Sequence, residues 1–325
     1  MKTFVMIIAV CLILIVGSTF LHAQEKYPSR GIELVIGWAP GGPADIAGRI
    51  FANELTKVLK VPVTPVNKAG ASGTIGATYT FKAKKDGYTL MAGSLGWLLG
   101  SITLEDIAYD PLHDFVPITK IAISPHGLFV KSDSPFKTLE DFIEKAKKNP
   151  RMISCGTAGA SSDGHFNIET LQKAAGIEIK HVPFKGGGEL PPALLGGHID
   201  IGISVASSVF AFAKAGTMRI LAVTGESRMK DLPDVPTLKE KGFKQTFFVN
   251  WVGLFTPSGV PPAVISTLSE ASEKVVKSKE YIERIEKTGS LVDFMTPMEY
   301  QKMFEEEKKA TEAIALELGL KKGKK

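Results

Sequence analysis

Cysteine is nearly missing from this 325-residue chain; Cys11 and Cys155 are the only two. Cys11 falls inside an apolar N-terminal run, so a chain that loses that run keeps one thiol and can form no internal disulfide. Histidine is almost as sparse: there are six, and the five beyond His22 show no zinc-type spacing. A strong excess of one charge is also lacking, since 39 Lys and Arg stand against 34 Asp and Glu for a net +5. The basic residues cluster only at Lys321-Lys322-Gly323-Lys324-Lys325, and no basic stripe alternates with aromatics, which argues against nucleic acid as a partner. Gly37 and Gly42 have phosphate-loop spacing, but Pro43-Ala44 follows where Lys-Ser/Thr is required. No Gly-x-Gly-x-x-Gly opens the first helix, and Gly159-Ala160-Ser161-Ser162-Asp163 lacks the second glycine of a nucleophile elbow. No repeat of solenoid period occurs. No cofactor and no metal are expected, and binding is favoured over covalent chemistry.

The N-terminus is the first positive signal. Met1-Lys2 precedes an apolar run from Phe4 to Val16, then small residues and Leu21-His22-Ala23. That is the architecture of a secretory leader, with cleavage expected after Ala23 and an uncleaved membrane anchor as the competing reading. Residues 1–23 are therefore read as a signal peptide, and the mature chain as periplasmic. Losing the leader removes Lys2 alone, leaving 38 basic residues against 34 acidic and a net +4. A chain of this length exceeds one comfortable core, so two domains are expected.

The stretch from Ile32 to Leu59 organises the rest of the chain. Ile32, Leu34, Val35 and Ile36 read as a buried strand, and Ile46, Ala47, Ile50, Phe51, Leu55, Val58 and Leu59 fall on one face of a helix. Between them lies Ala39-Pro40-Gly41-Gly42-Pro43-Ala44-Asp45, a turn that bares backbone amides at a helix start. Such a place attracts anions, because the first amides are unpaired and the dipole is positive there. Val61 to Val66 reads as a strand whose prolines favour an edge. Asn67 to Gly76 is a second glycine-rich loop leading into a short helix, Tyr88 to Ala92 a strand, and the segment carrying Ser94, Trp97 and Ser101 a loop. Ile118 to Ile123 is the next strand.

A similar layer comes next. A strand at Gly127–Val130 leads to a helix from Thr138 to Lys147, opened by the capping-box pattern Thr138-x-x-Asp141. A strand ending near Cys155 runs into the small-residue turn Gly156 to His165 and a helix to about Ala175. Further strands are expected at 179–182, 199–205 and 219–223, with short helices between. Residues 226–250 read as an irregular connector, Trp251–Phe255 as a strand, and the rest as three helices, the last from Pro297 to about Leu318. Strands alternating with helices signal parallel sheets. The economical topology inserts the second layer into the first, with residues 24–123 and 248–325 as one domain and 124–247 as the other.

Each candidate site residue has a plainer reading beside the functional one. Asp45 is expected to N-cap its helix, leaving ligand contact to the amides of Gly41 to Ala44. Arg49 is expected in an ion pair. Thr157, Ser161 and Ser162 suit a carboxylate but could cap the following helix. His165 reads as a partly buried structural residue, His126 as a cleft residue or a core one, and Lys185 as a cleft charge or a solvated one.

An ordered series of motifs then resembles one family. They are Tyr27-Pro28-Ser29-Arg30, Pro40 to Asp45 with Arg49, Asn67 to Ala77, Asp86-Gly87-Tyr88-Thr89-Leu90, and Tyr109-Asp110-Pro111 with Asp114-Phe115. Cys155-Gly156-Thr157 to His165, Val182-Pro183-Phe184-Lys185-Gly186 and Leu232-Pro233-Asp234-Val235-Pro236-Thr237-Leu238 complete it. The chain resembles the extracytoplasmic solute receptors of tripartite tricarboxylate transporters, the TctC or Bug proteins. The resemblance implies an α/β two-domain periplasmic-binding-protein (Venus flytrap) clamshell, the second domain inserted in the first through two crossover connections. It implies a monomer closing on a small organic acid (a di- or tricarboxylate, amino acid or aromatic acid) and delivering it to membrane permease subunits. The residues expected at the ligand are Gly41, Gly42, Pro43, Ala44, Asp45, Ser72, Gly73, Ser94, His126, Thr157, Ala160, Ser161, Ser162, Lys185, Gly186 and Ser204. The chain departs from the family pattern at Pro43, where Ser, Thr or Ala is common, and at Trp38, where Phe is more usual. Two other readings stay open: a ligand sensor for a membrane kinase, and a secreted serine hydrolase using Ser161 or Ser162 with His165.

Overall fold

A computed structural model describes residues 27–103, 107–245 and 247–320. The expected leader, Met1 to Ala23, and the basic tail Lys321–Lys325 lie outside the described residues. Among the described residues no helix is long and apolar enough to cross a membrane.

The strands come in chain order as β1 (Ile32–Ile36), β2 (Val63–Asn67), β3 (Thr89–Ser94), β4 (Phe115–Ser124), β5 (His126–Lys131), β6 (Ser154–Thr157), β7 (Lys180–Pro183), β8 (Ile201–Val205), β9 (Met218–Val223) and β10 (Asn250–Pro257). They form two five-stranded sheets, ordered β2-β1-β3-β10-β4 and β7-β6-β8-β5-β9. Pro125 alone separates β4 in the first sheet from β5 in the second, and the chain returns to the first sheet only at β10. Two α/β halves thus share one chain, the second set of strands inside the first.

Both sheets are mixed, not parallel throughout. β1 runs parallel to β2 and β3, but β10 lies antiparallel between β3 and β4. In the second sheet β6 runs parallel to β7 and β8, while β5 lies antiparallel between β8 and β9. The antiparallel strand of each sheet begins directly after a crossing between sheets, so its direction is set by where the chain re-enters. The Pro65-bearing strand β2 is at an edge, where its missing N–H costs no ladder bond.

Helix α1 (Pro43–Leu59) buries Ala47, Phe51 and Leu55 against Ile36, Leu34 and Leu90. Fully enclosing a side chain such as Phe51 or Leu55 contributes about 1.5–3 kcal/mol. Ile46, expected on that face, is exposed. After α2 (Thr74–Phe81) comes a helix where a loop was expected, α3 (Leu95–Thr103). Its sequence LGWLLGSIT is apolar on nearly every side and has no polar face, so it carries no helical periodicity to read. It is covered on most of its surface, with Ser101 and Ile102 partly exposed, and Trp97 sits between Phe115, Phe255 and Phe304 in an aromatic core behind the first sheet.

In the second half, α4 (Leu139–Lys148) has the expected capping box, with Thr138 and Asp141 satisfying each other's backbone N–H. Helix α5 (Asp163–Ala175) stops at Gly176, whose φ of 63° is the left-handed conformation glycine takes without a Cβ penalty. The short helices α6 (Leu190–Leu195) and α7 (Phe210–Lys214) come next, and α8 (Pro262–Val276), α9 (Lys279–Glu286) and α10 (Pro297–Glu317) end the chain.

Candidate functional site

The carboxyl ends of β1 and β6, one in each sheet, feed the two small-residue turns that start α1 and α5. In open α/β sheets that is where ligands sit. At the first turn Gly41 has φ 82°, a value few side chains tolerate, and Gly42 is the N-cap with no side chain to cap the helix. Asp45 is therefore not the N-cap. It lies one turn in, 2% exposed, and its Oδ2 accepts the Gly41 N–H at 2.9 Å. Burial alone would raise the Asp45 pKa, but hydrogen bonds from Arg49, Asn67 and Gly41 outweigh it and hold the carboxyl below its ordinary value. Arg49 makes its ion pair within the same turn, donating to Asp45 at 2.9 Å and to Asn67 Oδ1 at 2.6 Å.

The expected set of open amides shrinks accordingly. The Gly41 N–H is taken by Asp45, the Gly42 N–H leans on Ala39 C=O at 3.4 Å, and Pro43 has none. The amides of Ala44 and Asp45 precede the first intrahelical bond, which runs from Ile46 N–H to Gly42 C=O. This helix start is electropositive with its own acid already neutralised by Arg49.

At the second turn the hydroxyls hold the turn itself. Ser162 Oγ is buried and accepts the His165 N–H at 3.2 Å as the N-cap. Ser161, with φ 62°, gives its N–H to His165 Nδ1 at 3.1 Å. Thr157, fully buried, pairs through Oγ1 with His181 Nε2 at 2.7 Å and donates to Gly159 C=O. His165 and His181 stack face to face at 4.0 Å, and burial first, then the neighbouring His165, pushes His181 down to about 4. His165 itself is partly buried, in keeping with a structural role.

A cavity of about 340 Å³ joins the two turns. One wall, from the first sheet, is Trp38 to Ala44, Ser94 and Asn250. The facing wall is Ala158, Asp163, Gly186 to Glu189, Ser204 and Val205. Of the sequence-predicted residues, Gly41, Gly42, Pro43, Ala44, Ser94, Gly186 and Ser204 line it, and Asp45 lies just beneath. Thr157, Ala160, Ser161, Ser162 and Lys185 stand outside the lining, the first and the two serines because their polar atoms close the turn itself. Ser72 and Gly73 also lie outside it: Ser72 Oγ reaches across to Ala160 C=O at 3.1 Å, and Gly73 packs beneath Trp97 and Trp38. His126 is not a cleft residue. It is fully buried behind Asp163, with Nδ1 3.2 Å from Phe248 C=O and Nε2 3.1 Å from the carboxylate, out of line for a hydrogen bond.

Trp38, Asn250 and Asp163 are among the lining residues that were not foreseen. Trp38 donates from Nε1 to Ser94 Oγ at 2.8 Å and fixes that hydroxyl at the wall. Asn250 opens β10 and donates from Nδ2 to Asp163 Oδ2 at 2.6 Å, tying the two sheets together. Asp163 is 5% exposed; burial would raise its pKa, yet His126, Asn250 and the Gly164 N–H hold it below the ordinary value. Its position in the first turn of a helix was a local signal that could have been used. A second cavity, about 690 Å³, shares no residue with the first and lies among the connector, Ile123, Pro125 and residues 286–291.

The family model for the tripartite tricarboxylate transporter family receptor, TctC, matches residues 47–320. The chain belongs to that family. A Cupriavidus necator relative, the UPF0065 protein in the gbd 5′ region, is 34% identical to this TctC chain over 94% of each. The solved periplasmic binding protein BugD superposes with a TM-score of 0.86 at 27% identity, covering 91% of this chain and all of BugD. A Rhodopseudomonas palustris protein solved with adipate has a TM-score of 0.86 at 28% identity, over 90% of this chain and 98% of that one. MatC of the same organism, solved with bound malate, gives 0.83 at 27% identity, over 89% and 99%. The TctC receptor therefore has the periplasmic-binding-protein clamshell, and its relatives of known structure are solute-binding proteins.

Proposed function

We propose that this protein is a periplasmic receptor that captures a small organic carboxylate in the 340 Å³ cleft and delivers it to the membrane subunits of a tripartite tricarboxylate-type transporter. The observation that carries the reading is a single cavity lined by two glycine-rich segments from opposite sheets, one of them an electropositive helix start. Two relatives solved with adipate and malate support a carboxylate as the ligand class. Residues 24–123 with 248–325, and residues 124–247, act as the two jaws of a monomer, hinged where the chain crosses between sheets. The protein binds and releases without turnover. Ser162 Oγ is engaged by a backbone N–H and His165 Nδ1 by the Ser161 amide, so neither is arranged as a nucleophile with its base.

The test is a thermal-shift and calorimetry panel of mono-, di- and tricarboxylates, amino acids and aromatic acids on exported protein. An acid present at a hundred times its Kd should add ~2.7 kcal/mol of stability and bind one to one. Gly42→Val is the matched variant. A Cβ at Gly42 meets only Ala39 C=O, at 3.5 Å, so the protein should fold, while the side chain enters the cavity and abolishes binding. Failure of the whole panel, or full affinity in Gly42→Val, overturns the reading.

A further inference from the structure

The two walls of the cleft differ in charge. The first-sheet wall, Trp38 to Ala44 with Ser94 and Asn250, carries no ionisable side chain, and the acid beneath it is paired with Arg49. The facing wall carries two carboxylates, Asp163 and Glu189, and among the described residues no lysine or arginine lines either side. Glu189 is exposed and lines the cleft; its Oε2 accepts the Lys185 N–H at 3.0 Å, and its carboxylate has no other hydrogen-bond partner among the described residues. Ser204, only 2% exposed, lines the same space, and its hydroxyl has no hydrogen-bond partner among the described residues. Behind Asp163 stands His126; even with that imidazole protonated, Glu189 leaves the lining net negative. An anionic group brought to this wall loses water and meets like charge, whereas a donor group finds carboxylate and hydroxyl acceptors.

We infer that the ligand carries one carboxylate, held at the α1 side, and at its other end a hydrogen-bond donor, an ammonium or hydroxyl group, that meets Asp163 and Glu189. This rests on the receptor reading above and narrows it: plain diacids are the poorer ligands. Size does not make the selection, because diacids and their amino or hydroxy analogues of equal length differ little in volume. The acidic wall makes it, by accepting hydrogen bonds and offering no cation.

Two matched sets of acids test this by calorimetry on exported full-length protein. The four-carbon set is succinate, 4-hydroxybutyrate and 4-aminobutyrate; the six-carbon set is adipate, 6-hydroxyhexanoate and 6-aminohexanoate. In at least one set the amino or hydroxy acid should bind at least tenfold tighter than the diacid, and the tighter of the two identifies the donor. Glu189→Gln, at an exposed position that does not disturb the core, should narrow that ratio several-fold by strengthening the diacid. Diacids binding as tightly as their analogues in both sets, or a ratio unmoved in Glu189→Gln, would overturn the inference while leaving the carboxylate receptor intact. Binding by none of the six, together with failure of the wider panel, removes the receptor reading and this inference with it.

Discussion

Ser72 offers the sharpest test of how the two halves work together. Its hydroxyl donates to the Ala160 carbonyl at 3.1 Å, joining the loop before α2 on the first sheet to the turn before α5 on the second. Both loops are held in left-handed backbone at the contact, with φ 52° at Ser72 and 62° at Ser161, so the approach is built into the chain. If the jaws part when empty, this bond exists only in the closed form. A solvent-exposed hydrogen bond of this kind contributes about 0.5–1.5 kcal/mol net. Ser72→Ala should then lower the closing constant by that amount. Where the empty receptor is mostly open, ligand Kd rises in step, about fivefold at 1 kcal/mol. The loss should appear as faster dissociation with little change in association, since encounter precedes closure. The melting temperature of the empty protein should not move. Calorimetry and stopped-flow binding with whichever acid proves tightest, beside melts with and without it, separate the outcomes. Unchanged affinity would show that the contact is not a closing bond. An equal drop in the empty and loaded melts would show that the bond persists in both forms.

Two further outcomes test the core and its titration. Gly253 in β10 faces the buried Tyr300 hydroxyl, which a methyl group would overlap, with the Tyr300 ring carbons at 2.6 Å; Gly253→Ala should destabilise by about 1–3 kcal/mol in urea melts, and a neutral effect would mean the aromatic cluster yields. Burial pushes Glu307 up to about 7, against the Trp251 indole N–H and Lys120, which lower it, with Asp163 raising it further. A carboxyl whose folded pKa exceeds its unfolded one stabilises most at low pH, and that contribution is lost as pH rises from about 4.5 to about 7. Glu307→Gln should flatten this slope, gaining on the order of 1–2 kcal/mol relative to the parent at pH 8 over pH 5, because the residue is not wholly enclosed; parallel stability profiles from pH 5 to 8 would refute the assignment.

What could be read from the sequence was whatever depends on near neighbours. The strand-turn-helix from Ile32 to Leu59 shows itself because the period changes from a short apolar run to a helical face across a Pro-Gly-Gly turn. The Thr138 capping box and the edge position of β2 are equally local, one fixed by a three-residue spacing and the other by Pro65. Helix α3 is invisible for the opposite reason. With most of its residues buried, Leu95 to Thr103 has no polar solvent face to alternate against.

The site divides along the same line. Glycines at 41, 42 and 186 signal a close approach wherever they fall, and they do line the cavity. Whether an amide there is free is another matter, decided by which side chain folds back onto it: Asp45 takes the Gly41 N–H and His165 takes that of Ser161. Asn250 is harder still. Its place opposite Asp163 depends on β10 returning to the first sheet after the whole of the second has been built, and nothing within reach of residue 250 in the sequence encodes that. The charge of the cleft arises from the same long-range pairing. Asp163 can stay ionised while enclosed because Asn250 and His126, from the two crossings between sheets, converge on it. A carboxylate held that way lines the cavity wall and also meets the residues that open β5 and β10, so one side chain belongs both to the cleft and to the contact between the two sheets.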